Sequence, residues 1–287
     1  MSKIREALQQ AAQVNTNPAG AEYRSLSVRD TIQLAEQYHL SRRAVEIAAL
    51  EEGIIPERYQ RNIGTAGIEG QIRLLKSCAG VVGAGGLGGL VVELLARMGV
   101  GSLVVIDGDY FSDSNLNRQI LSTEANLGKS KAEAAARRAV EINGAVEARA
   151  VAQRGDASNL ASFLQGCNLA LDCLDNLSSR FAVEQACAQL KIPLVHAAIA
   201  GLVGQLAVIE PDRPLFASIY GTAADGDRGA EVFLGNPAAT PAVLAALQVN
   251  EAVKILAGLE GVLSNKLLII DLLTGETTPI NFGGQPA

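Results

Sequence analysis

The chain has 287 residues, 24 Lys and Arg against 30 Asp and Glu, a formal net charge of −6, and 48% hydrophobic residues. At roughly 150 residues per domain it makes one large domain or two small ones, with ample apolar surface for a core. The acidic balance and a 4% aromatic fraction without Trp disfavour a surface built to neutralise nucleic-acid phosphates or to stack bases.

The N-terminal stretch Met1-Ser2-Lys3-Ile4-Arg5-Glu6 lacks the apolar core of a signal peptide, and no run approaches the ~20 apolar residues of a membrane span. Cys78, Cys167, Cys173 and Cys187 form no C-x-x-C pair and no Cys/His cluster along the sequence, which argues against a disulfide scaffold or a structural zinc. A cytoplasmic protein in a reducing compartment is expected, with neither nucleic acid nor membrane as its partner.

Residues 1–54 read as a helical extension, with two or three short helices and a polar interruption at Asn15-Thr16-Asn17-Pro18-Ala19-Gly20. Between Ser27 and Glu52, Val28, Ile32, Leu34, Ala35, Leu40, Val45, Ile47, Ala48 and Leu50 recur at helical spacing. His39-Leu40-Ser41 breaks that run, and Ser41 suits an N-cap. A helix-turn-helix is the rival reading here, but a helical arm that packs on the main domain or a second subunit agrees better with the acidic chain.

From Ser77 onward, short apolar runs alternate with helical stretches, the pattern of a parallel sheet flanked by helices. Strands are predicted at 78–82, 102–106, 146–152, 169–173, 193–198, 204–209 and 266–271. Helices are predicted at 86–98, 129–143, 157–164, 177–190 and 242–257. Residues 55–287 therefore read as a doubly wound, Rossmann-like α/β domain with a mostly parallel sheet. A long crossover loop is expected at about 212–236, carrying Asp225-Gly226-Asp227-Arg228-Gly229.

After the first of these strands comes Gly83-Ala84-Gly85-Gly86-Leu87-Gly88-Gly89, a G-x-G-x-x-G at Gly83, Gly85 and Gly88. Glycines allow a tight strand-to-helix turn and let a phosphate approach backbone N–H groups at a helix start. Asp107 closes the next strand, where it can hold a ribose hydroxyl. A nucleotide is the favoured ligand.

Beyond Asp107 and Asp109 lie Asn115, Arg118 and Gln119, then Gly128-Lys129-Ser130-Lys131 at a helix start. Nicotinamide chemistry has no need of fixed cations beside the phosphates, whereas phosphoryl or nucleotidyl transfer does. Asp175 and Asn176 follow a further strand in Asp172-Cys173-Leu174-Asp175-Asn176, with Arg180 one turn on. Mg²⁺ takes one or two such carboxylates plus phosphate oxygens, which makes Asp175 the metal candidate, with an N-cap role open to Asp175 or Asn176.

The order Glu57-Arg58-Tyr59-Gln60-Arg61-Asn62, the glycine motif, Asp107-Gly108-Asp109, Asn115-Leu116-Asn117-Arg118-Gln119, Gly128-Lys129-Ser130-Lys131 and Asp172 to Asn176 resembles the MoeB/ThiF/HesA family across about residues 55–275. These proteins are bacterial relatives of ubiquitin-activating enzymes. The resemblance implies a homodimeric adenylyltransferase that uses ATP and Mg²⁺ to activate the C-terminal Gly-Gly carboxylate of a small ubiquitin-like sulfur carrier, of molybdopterin, tungstopterin or thiamine type, and releases pyrophosphate. It implies that Gly85 lies against the nucleotide, with Gly83, Gly86 and Gly88 around it, and that Asp107 binds the ribose. It further implies that Asn115, Arg118 and Lys131 contact the phosphates, that Asp175 holds Mg²⁺, and that Arg61 enters the neighbouring subunit's site.

Two departures from the family's pattern alter the expectation. Pro214 to Ile219 stand where a first zinc-binding C-x-x-C would fall and no Cys follows Cys187, so no structural zinc is expected. The crossover loop also lacks a cysteine, which points to adenylation without a thioester on this chain. Cys187 reads as a packing residue, and His196 as a hydrogen-bonded structural histidine rather than a general base. Gly283-Gly284 reads as a flexible end. An NAD-dependent oxidoreductase and a non-catalytic nucleotide-binding partner protein stand as alternatives.

Overall fold

The computed structural model describes residues 2–221 and 231–282; the expected Asp225 to Gly229 and Gly283-Gly284 features lie outside them. The chain opens with α1 (Ser2–Ala11), β1 (Gln13–Thr16), β2 (Glu22–Leu26), α2 (Val28–Tyr38), α3 (Arg42–Glu51) and β3 (Ile54–Pro56). Ser41 caps α3 as expected, its Oγ accepting the Ala44 N–H at 3.1 Å.

The helical reading of this extension requires correction, because it also holds a three-stranded sheet in the order β1-β2-β3. The polar run at 15–20 is the turn of a hairpin. Asn17 Oδ1 accepts the N–H groups of both Ala19 and Ala21, and Gly20 takes φ 84°. Ile4, Leu8, Leu26, Leu34, Ala35, Val45, Ala49 and Ile54 form its small core.

The extension packs on its own chain. Tyr59, fully buried, donates its hydroxyl to Glu46 Oε2 at 2.9 Å and accepts from Asn143 Nδ2 at 2.9 Å. Arg58 pairs with Glu46 (Nε to Oε1, 3.3 Å) and donates to Asn143 Oδ1. Burial outweighs these partners and holds the Glu46 carboxyl above its ordinary value. On α3, Arg43 donates to Gly101 O and Ser102 Oγ, both at 2.7 Å. The helix that a helix-turn-helix reading would aim at DNA thus faces the main domain.

There follow α4 (Gln60–Lys76), β4 (Cys78–Val82), α5 (Gly88–Met98), β5 (Ser102–Ile106), α6 (Lys131–Ile142), β6 (Glu147–Val151), α7 (Leu160–Phe163), β7 (Leu169–Asp172), α8 (Leu177–Leu190), β8 (Leu194–Ala200) and β9 (Val203–Ile209). The remaining elements are α9 (Phe216–Tyr220), α10 (Glu231–Leu234), α11 (Ala239–Ala257), β10 (Lys266–Asp271) and β11 (Glu276–Asn281). Among its described residues, the expected loop at 212–236 therefore carries two short helices. An unpredicted hairpin partner, β11, ends the sheet, its six residues exposed and without the apolar alternation that marks a strand in sequence.

The eight strands run β11-β10-β9-β8-β7-β4-β5-β6. Strands β4 to β8 are mutually parallel, and β9, β10 and β11 add on antiparallel. Val81, Leu103 and Val105 point to a face covered by α5, α6 and α11, while Val82, Val104 and Ile106 point to the face covered by α7, α8 and α9. That alternation is the period of a strand, and burial on both faces is why the runs are almost wholly apolar. Each fully buried Val, Leu or Ile contributes about 1.5–3 kcal/mol of transfer free energy. The order reverses between β4 and β7, so their carboxyl ends part at a topological switch point where α/β sheets open a crevice.

Candidate active site

A cleft of about 320 Å³ opens at that switch point. Its first wall is the glycine turn after β4. Gly83 holds φ 94°, a left-handed conformation, and a Cβ there would meet Cys173 O at 2.6 Å. Gly88 opens α5, and a Cβ on it would fall 1.8 Å from Gly83 O. Both glycines are therefore required by the fold itself. Gly85 differs, since the nearest atom to its Cβ position is Gln119 Nε2 at 3.5 Å. The chain tolerates a side chain there, but the cleft would lose its bare backbone wall.

Asp107, at the end of β5, is mostly buried and accepts two backbone N–H groups at 2.7 Å, Ala84 to Oδ2 and Asp109 to Oδ1. It fastens the glycine turn to the β5 loop as well as facing the cleft. Desolvation holds its carboxyl above the ordinary aspartate value, against these two N–H bonds and the charge of Lys131. Lys131, nearly buried at the start of α6, places Nζ 3.2 Å from Asp109 Oδ2. Arg118 folds back on its own turn, donating Nη1 to Ser114 O and Asn117 Oδ1, both at 2.8 Å.

The other wall is the turn after β7. Asp172, wholly buried, accepts Leu174 N–H at Oδ1 (3.0 Å), and Arg180 donates to Leu174 O at 2.8 Å. Held from both sides, this turn presents Asp175, whose carboxylate is exposed beside Asn176. Asn176 also caps α8, its Oδ1 accepting Ser179 N–H at 2.9 Å. His196 sits on β8 in register with Asp172 and is wholly buried, donating Nδ1–H to Asp172 Oδ2 (2.7 Å) with Nε2 2.9 Å from the Tyr220 hydroxyl. Burial holds its pKa below the ordinary value, so it is neutral, as a structural histidine should be.

Gly83, Gly85, Gly86, Asp107, Asp109, Arg118, Gln119, Lys131, Asp175 and Asn176 all line the cleft. Gly88 lies behind the wall. Asn115 does not line it: buried, it accepts Ser112 N–H at Oδ1 (3.1 Å), and its carbonyl accepts Gln119 N–H (2.9 Å), so it shapes the turn that carries Arg118 and Gln119. Arg61, exposed on α4 ahead of a break at Gly67 (φ 69°), does not line its own chain's cleft.

Sequence reading missed Arg154 and Asn236, which also line the cleft. Arg154 follows β6, and the carboxyl end of a third parallel strand was the signal available for it. Among the described residues, five buried side-chain atoms lack a hydrogen-bond partner, and three belong to residues lining this cleft: Arg180 Nε, which is ion-paired with Asp172 Oδ2 at 3.6 Å, and Gln119 Oε1 and Asn236 Oδ1, which are left as orphans. Orphaned buried polar atoms in a native fold call for an explanation, and a polar ligand supplies one.

Fold and cleft together define a Rossmann-like α/β protein with a polar, cation-lined cleft at its switch point. The model of the ThiF family matches residues 59–285, and the chain belongs to that family. The SAMP-activating enzyme E1 of Haloferax volcanii is 36% identical over 228 residues, covering 78% of this chain and 84% of that protein. The adenylyltransferase and sulfurtransferase MOCS3 of Drosophila ananassae is 36% identical over 224 residues, covering 75% of this chain. The chain spans about half that relative's length, 48%. A solved structure of E. coli MccB with ATP shares the fold, with a TM-score of 0.67 and 21% identity over 89% of this chain and 83% of that one. Membership decides among the functional alternatives: the chain is an adenylyltransferase. No described helix is long and apolar enough to cross a membrane.

Proposed function

We propose that this chain activates the C-terminal carboxylate of a small ubiquitin-like sulfur carrier by transferring AMP to it from ATP. The carrying observation is the cleft at the switch point, where a bare glycine wall, the cations Lys131, Arg118 and Arg154, the exposed Asp175 and two unpartnered buried polar atoms, Gln119 Oε1 and Asn236 Oδ1, converge. Support for the carrier comes from the relatives, a SAMP-activating E1 and MOCS3.

A carboxylate oxygen of the carrier attacks the α-phosphorus, the bond to the bridging oxygen breaks, and pyrophosphate leaves with its electron pair. No proton has to be removed from the nucleophile, which agrees with a neutral, buried His196. What the reaction needs is positioning and charge neutralisation. Gly85 and Gly86 leave room for the phosphates beside backbone N–H groups. Lys131 and Arg118 face the departing pyrophosphate, and Asp107 and Gln119 take the nucleoside.

The residues present fit Mg²⁺ as a hard cation held by one exposed carboxylate, Asp175, and by the phosphates themselves. When bound, the ion would offset phosphate charge. Arg61 is assigned to the neighbouring subunit's cleft in a homodimer. No cysteine thioester is included, because Cys187 is buried and its thiol is pushed up to about 12, chiefly by desolvation. Residues 55–287 form the adenylating unit, with 1–54 as its extension, in a cytoplasmic protein.

ATP–pyrophosphate exchange in the presence of Mg²⁺, with and without carriers ending in Gly-Gly, tests this. Exchange that needs both a carrier and Asp175 is expected. ATP binding without exchange for any carrier would overturn the carrier assignment.

A further inference from the structure

At the opposite end of the sheet from the cleft, two cysteines 89 positions apart in sequence meet. Cys78 opens β4, and Cys167 lies just before β7; their Sγ atoms are 3.6 Å apart. Paired backbone contacts fix this approach, since Cys78 N–H donates to Asn168 Oδ1 at 2.8 Å and Asn168 N–H to Cys78 O at 2.7 Å. A glycine at position 80 makes room, for a Cβ there would reach 2.2 Å from Leu164 Cδ2 and 3.4 Å from Cys167 Sγ.

The two thiols are not equivalent. Cys167 is buried, while Cys78 is partly exposed. Arg43 donates to Ser102 Oγ, and Ser102 is the residue paired with Cys78 across β4 and β5; Arg149 lies on the next strand, β6. The sulfur–sulfur contact with Cys167, aided by the charges of Arg149 and Arg43, holds the Cys78 thiol below its ordinary pKa, whereas Cys167 is held above it. Cys173 and Cys187 are buried and raised, chiefly by desolvation. One partly exposed thiol of lowered pKa in contact with one buried thiol is the arrangement of a peroxide-sensitive couple.

We propose that Cys78 and Cys167 form a reversible dithiol–disulfide couple, with Cys78 the site of attack on a hydroperoxide and Cys167 the resolving thiol. The Cys78 thiolate attacks one peroxide oxygen; the S–O bond forms, the O–O bond breaks, and the leaving oxygen departs as hydroxide, which takes a proton from solvent to become water. Cys167 sulfur then attacks Cys78 sulfur. The S–S bond forms, the S–O bond breaks, and the departing hydroxide takes the Cys167 proton. Two thiols lose two electrons, and hydrogen peroxide is reduced to two waters. A thiol reductant reverses the link, which joins the roots of the two strands whose far ends part at the cleft.

The wild-type protein is exposed to hydrogen peroxide at a dose that oxidises free glutathione, free thiols are alkylated, and the peptides are mapped by mass spectrometry. A Cys78–Cys167 peptide that dithiothreitol abolishes is expected, with Cys173 and Cys187 alkylated only after denaturation. In the Cys167→Ser variant, Cys78 should accumulate as the sulfenic acid and be trapped by dimedone. Recovery of both Cys78 and Cys167 as free thiols in the wild type, or no dimedone adduct on Cys78 in a folded Cys167→Ser protein, would overturn the proposal.

Discussion

Lys131 Nζ lies 3.2 Å from Asp109 Oδ2, and the two partners differ sharply in exposure, 9% for the lysine side chain against 76% for the aspartate. An ion pair with one end in water contributes at most about 1 kcal/mol, so an incoming phosphate can replace Asp109 at little cost. Asp109→Asn should therefore leave ATP affinity within about threefold of wild type, whereas Lys131→Met, which removes a charged hydrogen-bond donor, should weaken it by at least about tenfold. Isothermal titration with ATP checks both. Equal losses in the two variants would show that the pair acts as a unit.

The glycine turn separates folding from binding. Gly88→Ala drives a Cβ into Gly83 O and should destabilise the protein by about 3 kcal/mol or more, read as a lowered urea midpoint. Gly85→Ala meets only ordinary contacts, so stability should stay within about 0.5 kcal/mol while ATP affinity falls about tenfold or more. A stable Gly85→Ala protein with unaltered ATP affinity would remove that residue from the nucleotide site.

If Arg61 completes the neighbouring subunit's site, Arg61→Ala and Asp175→Ala are each inactive in pyrophosphate exchange yet complement one another. A heterodimer of the two keeps one site with both residues intact. Unfolding and refolding an equal mixture should thus recover roughly a quarter of wild-type activity, by the statistics of a two-fold dimer. Recovery of nothing, with dimers verified by sedimentation, would place Arg61 outside the reaction.

His196 links stability to pH. Burial depresses its pKa in the folded protein, so below the unfolded value of about 6.5 the unfolded chain binds the extra proton and folding weakens as pH falls. The contribution is fully present above about 6.5 and declines below it, by up to about 1.4 kcal/mol per pH unit. Glu46, its carboxyl pKa raised by burial, acts with the opposite sign, which makes a paired comparison necessary. Urea midpoints at pH 7.5 and 5.5 should fall less for His196→Asn than for wild type, and parallel declines would assign the acid sensitivity elsewhere.

How much could be read in advance depended on whether a signal was local. Strand β4 and helix α8 were legible to the residue, since an apolar run ending in glycine and an Asn176 cap are contiguous signals. The hairpin of β1 and β2 was not, because β1 is polar and mostly exposed and β2 buries only Ser25 and Leu26, so the Asn17 turn and pairing with β3 create it. Ten cleft residues were named from motif order, but Asn115 was assigned to the ligand when its side chain braces a turn. Arg154 was overlooked because no motif accompanies it.

The sequence by itself determined the family, the parallel βα core and the identity of most charges lining the cleft. Each of these rests on short patterns that physical chemistry ties to one local conformation. Only the tertiary structure decided that the extension grips its own chain through Glu46 and Tyr59, that Asp172 is held by His196 while Asp175 faces solvent, and that Cys78 meets Cys167. Those relationships join residues 13, 24 and 89 positions apart. Sheet register and burial set such distances, and no local pattern encodes them.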